Sequence, residues 1–167
     1  MSIKKLLLTF VILNLSLISS NAAIKIEKKF KSWESQYIES GDGKICFAVS
    51  MPVKMTPESL NRAESRIFIT FRPKDGVSNE ISITNGYPLK KKSDIDVDVG
   101  NASFKFLTKD KFGWLPSLND ELKMINVMKK SNKAIVSGVS ARGNKTKDTY
   151  SLMGFTDAYN AARKNCS

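Results

Sequence analysis

The sequence predicts a mainly β domain, a sandwich or a barrel, with one helix near residues 117–130 and a short C-terminal helix. Three observations carry this. Between residues 33 and 108, short runs rich in β-branched and aromatic residues alternate apolar with polar positions. Gly, Pro, Asn and Asp turn signals separate those runs at close spacing. Over residues 117–130 the apolar period lengthens to that of a helix, before a final pair of strands. No repeat or linker divides the chain, so residues 32–167 are read as one domain, with residues 23–31 as a frayed, lysine-rich lead-in.

Trp33, Tyr37 and Ile38 mark a first strand, the turn Ser40-Gly41-Asp42-Gly43 follows, and Lys44–Ser50 is a second strand ended by Met51-Pro52. Val53–Ser65 is a long connection with room for one helical turn. Arg66–Arg72 is the clearest strand, Pro73–Gly76 its turn, and Glu80–Thr84 the next strand. Asp94–Val99 puts Ile95, Val97 and Val99 on one face. In Ala102–Thr108, Phe104 and Phe106 share a face, and Phe112-Gly113-Trp114 is read as a loop. Ser117 or Asn119 can cap the helix, whose apolar stripe is Leu118, Leu122, Ile125 and Met128. The closing stretch Ser137–Phe155 reads as a strand, a basic glycine turn centred on Lys145, and a strand with Tyr150 and Leu152 facing inward. In that hairpin Arg142 and Asp148 are expected to pair across the turn, while Thr146 and Asp148 can satisfy turn backbone. Thr156 can cap a last helix, with Phe155, Ala158, Tyr159, Ala162 and Cys166 on one side.

The N-terminus has the three parts of a secretory signal: Lys4 and Lys5, an apolar run from Leu6 to Ile18, and small residues up to Ala22. The apolar run is shorter than the ~20 residues of a spanning helix; the alternatives are a buried helix or an uncleaved anchor. Removal of Met1–Ala22 would leave 145 residues with a net charge of +9 and no transmembrane segment. A periplasmic, secreted or outer-surface location follows. In that setting a basic protein meets an anionic lipid, glycan or protein, not nucleic acid, although the charge also serves solubility alone. An oxidising compartment would let Cys46 and Cys166 pair; the alternative is two separate thiols.

Catalytic constellations are scarce. The chain has no histidine, which removes the commonest acid/base group and the Ser-His-Asp arrangement. It also lacks a glycine-rich phosphate loop. Asp94, Asp96 and Asp98 fall on one strand face, as a cation site or an acid pair would require, and equally as a solvated face would. A non-enzymatic protein without cofactor or metal is therefore expected. The basic groups Lys90-Lys91-Lys92, Lys129, Lys130 and Lys133, and Arg142, Lys145 and Lys147, are either one anion-binding surface or scattered solubilising residues. Trp114 is either a contact aromatic or a plug over the edge of the fold, and a ligand pocket is conceivable near Trp114 and Tyr87.

Several of these residues together resemble the invasion-associated locus B family of exported bacterial proteins. They are Trp33, Lys44-Ile45-Cys46, Asn61-Arg62, Ile69-Thr70, Arg72-Pro73, Asn79–Ser82, Gly86-Tyr87-Pro88, Phe106, Thr108 and Trp114. Gly138, Ser140, Arg142-Gly143, Thr146, Asp148, Tyr150–Leu152, Gly154-Phe155 and Cys166 complete the pattern, which spans about residues 33–166. The chain departs from it at Lys130-Ser131-Asn132, where a glycine is usual, and at Asn144. The resemblance implies an immunoglobulin-like β-sandwich in the periplasm or at the outer surface and a Cys46–Cys166 disulfide. Export, the basic balance, the stapled sandwich and the lack of a catalytic constellation lead to the expectation of a non-catalytic protein that binds an envelope or host-surface macromolecule. It carries over no catalytic residue. The contact surface expected from the sequence is Arg142, Lys145, Lys147, Trp114 and Tyr87. The alternative function is a periplasmic small-ligand or glycan-binding protein.

Overall fold

The computed structural model describes residues 23–41 and 43–167; the expected signal segment Met1–Ala22 lies outside them. The first strands are β1 (Lys25–Phe30), β2 (Trp33–Ser40), β3 (Gly43–Ser50) and β4 (Lys54–Thr56). They are followed by β5 (Arg66–Arg72), β6 (Val77–Thr84), β7 (Ile95–Val99), β8 (Ala102–Lys109) and β9 (Phe112–Trp114). Helix α1 (Leu118–Met128), β10 (Lys133–Val139), β11 (Lys145–Ser151) and helix α2 (Phe155–Asn165) complete the chain.

The strands pair antiparallel in one ladder, β1-β2-β3-β5-β6-β9-β8-β7-β10-β11-β4. Strand β8 is the corner of that ladder. Its residues Ala102–Phe106 pair with β7, whereas Leu107–Lys109 pair with β9. Strands β1, β2, β3, β5, β6 and β9 thus form one arm, and β7, β10, β11 and β4 the other. Ile67, Ile69, Ile81 and Ile83 from the first arm and Ile95, Val97, Val136 and Tyr150 from the second share one apolar core. The mainly β expectation holds; the two arms are one continuous ladder that shares a strand, and its end strands β1 and β4 leave it open.

Period-two alternation explains which side chains enter the core. Ile95, Val97 and Val99 are fully buried while Asp96 and Asp98 are exposed. Helix α2 lies against β2, β3 and the end of β5. There Trp33 meets Phe155 edge-on at 4.9 Å and Phe71 meets Tyr159 at 5.6 Å, contacts worth about 0.5–1.5 kcal/mol each beyond burial. The apolar side of α2 is the expected one, and it brings Cys166 to Cys46 in a disulfide.

Several expectations need correction. Lys25–Phe30 is not a frayed lead-in but an edge strand, paired from Lys25↔Tyr37 to Phe30↔Trp33. Val53–Ser65 contains the short strand β4 instead of a helical turn. Phe112–Trp114 is a strand, held between β6 and β8, not a loop. Ser117 caps α1 by accepting the Asp120 N–H, but the buried side of the helix is Glu121, Met124, Ile125 and Met128; Leu118 and Leu122 are exposed. Glu121 is turned inward because it has a partner there: its Oε1 accepts the Ile81 N–H at 3.3 Å, just past the last β6 residue paired with β9. Helix α2 starts behind Gly154 at φ +89°, with no side-chain cap from Thr156.

Candidate functional site

The strand β11 alternates Thr146, Asp148 and Tyr150 into the interior, so a carboxylate enters the core and requires a partner. That partner comes from the connection between β4 and β5. Arg62 Nη1 donates to Asp148 Oδ2 at 2.8 Å, and Arg62 Nη2 donates to Oδ1 in the second half of a bidentate pair. Ser65 Oγ donates to the same carboxylate at 3.0 Å, and Arg62 Nη1 also reaches the Asn85 carbonyl at 3.2 Å. Both charged side chains are almost completely removed from water. The Asp148 carboxylate holds the Arg62 guanidinium in its charged form against the cost of burial. The ion pair fixes the strap Leu60–Ala63 onto the body of the protein.

Above this pair lies a groove of about 600 Å³. Its walls are the strap Leu60–Ala63, the loop Gly86–Pro88 and the β10–β11 turn with Ser140, Ala141, Arg142 and Asn144. Backbone bonds hold these three segments together: Ala63 N–H to the Gly86 carbonyl at 3.1 Å and Ala141 N–H to the Pro88 carbonyl at 2.8 Å. Gly86 is required at its place. Its φ is +76°, and a Cβ there would stand 1.9 Å from the Ala63 carbonyl oxygen. Tyr87 forms part of the groove wall but is largely buried, its hydroxyl 2.5 Å from Thr146 Oγ1 and its ring 5.8 Å from the Arg62 guanidinium. Burial raises the Tyr87 phenol above its ordinary pKa, so it stays protonated at neutral pH.

The five residues expected to form one contact surface do not line a single hollow. Tyr87 and Arg142 line the groove. Lys145 and Lys147 line a neighbouring hollow with Asp94, Asp96 and Ser137. Trp114 stands on β9, paired with Ser82 and Leu107, and its ring lies 5.8 Å from that of Phe112. Of the two aromatics expected near a ligand pocket, Tyr87 lines the groove and Trp114 does not. The expected Arg142–Asp148 pair is overturned. Val139 pairs with Lys145 and Val136 with Asp148, so the turn is centred on Arg142 and not on Lys145. Arg142 is exposed while Asp148 is buried on Arg62, and Thr146 and Asp148 serve the core, not the turn backbone.

The aspartate row on β7 is already occupied by neighbours. Asp96 pairs with Lys105 at 2.7 Å, and Asp98 accepts from Ser103 at 2.5 Å. Among the described residues no three His, Cys, Asp or Glu side chains are placed to hold a metal ion. Lys129 lies over the Tyr159 ring at 4.4 Å. Sequence reasoning named Arg62 only as part of the family pattern and missed its role. The available signal was an aspartate in the inward phase of Thr146-Lys147-Asp148-Thr149-Tyr150, which calls for a buried cation elsewhere in the chain.

Compared with known protein families, residues 33–163 match the one described as Invasion associated locus B (IalB) protein. The chain belongs to this family. No curated protein and no solved structure matches the chain. The invasion-associated locus B match begins at Trp33, whose indole N–H donates to the Ser151 carbonyl at 2.9 Å, and ends within α2. It therefore includes the strap, the Arg62–Asp148 pair and all three walls of the groove. Among the described residues no helix is long and apolar enough to cross a membrane.

Proposed function

We propose that this invasion-associated locus B protein is a non-catalytic binding protein of the bacterial envelope, acting in the periplasm or at the cell surface. The groove of about 600 Å³ beside Arg142 is the observation that carries this reading. Three separate loops converge there, they are held by backbone bonds and a buried ion pair, and an exposed arginine stands at the rim. End loops of β-sheet proteins commonly present such surfaces to a partner macromolecule. The disulfide between Cys46 and Cys166 suits an oxidising compartment. The lack of histidine, together with the pairing of Asp96 and Asp98 within the fold, supports binding over catalysis.

Capture from envelope extracts tests the proposal. The purified protein is expected to retain a specific macromolecule at low and at moderate salt, and Arg142→Glu is expected to release it. Failure to retain any partner under both conditions, or retention unaffected by Arg142→Glu, argues against it. The groove volume is also within the range of small-molecule sites. A thermal-shift series over envelope glycans separates the two readings: stabilisation by a glycan, lost in Arg142→Glu, favours the small ligand.

A further inference from the structure

A second surface lies at the β8–β9 turn, where the chain continues beyond the Gly86–Pro88 wall of the groove. The loop between β6 and β7 docks there: the Leu89 N–H donates to the Asp110 carbonyl at 2.8 Å, and Thr108 Oγ1 donates to the Ser93 carbonyl at 2.6 Å. These bonds set Lys90, Lys91 and Lys92 beside Lys109 and Lys111 of the β8–β9 turn. All five lysines are exposed, and among the described residues none of them forms an ion pair. The nearby carboxylates are Asp94 and Asp110, so the cluster is net positive. Next to it, the register pairs Leu107 with Trp114 and Lys109 with Phe112, which sends all four side chains to the outer face of the sheet. Leu107 is 57% exposed and Phe112 38% exposed. Trp114 is half-buried against Phe112.

We infer that this corner attaches the protein to an anionic lipid bilayer. Lysines bind a negative headgroup surface through charge, and an aromatic side chain beside them partitions into the headgroup boundary. A soluble polyanion would use the lysines but leave Leu107, Phe112 and Trp114 in water. The coincidence of both kinds of side chain on one corner is what selects the bilayer. The inference does not depend on the groove or its partner, because lipid vesicles contain no protein.

The experiment is flotation with vesicles of phosphatidylglycerol and phosphatidylcholine, compared with phosphatidylcholine alone. Tryptophan emission gives a second readout: Trp33 is fully buried, so a blue shift on binding reports Trp114. The expected result is binding to the anionic vesicles only, weakened by added salt, with a blue shift. Replacing Lys90, Lys91 and Lys92 together by Glu should weaken it at least tenfold, the corresponding Arg variant should retain it, and Phe112→Ser should reduce the blue shift. The Arg variant and the salt series keep the test decisive if the Glu variant does not fold. Equal binding to neutral vesicles, no binding to either, unchanged binding by the Glu variant, or retention on heparin without vesicle binding would each overturn the inference.

Discussion

The Arg62–Asp148 pair shows how one inward-facing carboxylate constrains a distant segment. Burying two charges is costly, and their mutual attraction offsets that cost only while both are present. Asp148→Ala should therefore destabilise the protein by about 3–5 kcal/mol, because it leaves the Arg62 guanidinium buried and unpaired. Replacing both residues, Arg62→Met with Asp148→Leu, should recover most of that loss. Chemical denaturation of the three variants checks this; a double variant as unstable as the single one would show that the pair does more than compensate itself. Glu121 is the second buried carboxylate. Burial raises its pKa, the Ile81 N–H bond opposes the shift and the nearby Glu80 charge adds to it. The folded state thus holds the proton more tightly than the unfolded chain. The stability this contributes is present at low pH and is lost as pH rises from the ordinary carboxylate value through the raised one. Glu121→Gln keeps an acceptor for Ile81 without the charge. It should melt higher than the parent at pH 7, with the difference vanishing near about pH 4, as thermal scans across pH would reveal.

At the scale of elements, what the sequence disclosed depended on where each strand finds its instructions. β7 carries its own alternation, and the face of Ile95, Val97 and Val99 read from the sequence is the buried one; β5 and β8 were legible as strands. The same holds for α2, whose buried residues recur at helical spacing. β9 has three residues and no periodicity to display; it is a strand only because β6 and β8 flank it. β1 was hidden for a different reason. An edge strand is bonded on one side, so Lys25, Lys28 and Lys29 can remain in water, which also discourages pairing with another chain. In α1, Leu122 and Glu121 offered competing stripes, and apolar residue type favoured the wrong one, since the hydrogen bond that draws Glu121 inward comes from another strand. The groove was legible in part: Tyr87 and Arg142 were named, but the strap that forms its opposite wall depends on Arg62 finding Asp148, 86 positions away. The short interval from Gly86 to Pro88 illustrates how closely that wall is fitted, because the Ala63 carbonyl occupies the space of a Gly86 side chain.

For the whole molecule, three long ties join residues 33–62 to the last twenty residues of the chain. Trp33 bonds to Ser151, Arg62 to Asp148, and Cys46 to Cys166. The ladder itself leaves β1 and β4 as free ends, so these ties supply closure that the strand order does not. The disulfide has the longest reach, with 120 positions between its cysteines. Constraining so long a loop in the unfolded chain contributes roughly 5 kcal/mol by the chain-entropy argument, as an upper figure. The Cys46→Ala, Cys166→Ala double variant should therefore be less stable by up to that amount in chemical denaturation, and the reduced parent should match it. Because Trp33 packs on Phe155 of α2, its emission reports whether the terminal helix remains docked. The expected order is loss of α2 from β2 and β3 before loss of the ladder, seen as a Trp33 change that precedes the drop in β circular dichroism. Coincident transitions would instead mean that the apolar side of α2, with Phe155, Ala158, Tyr159 and Ala162, holds the helix in place without the covalent tie.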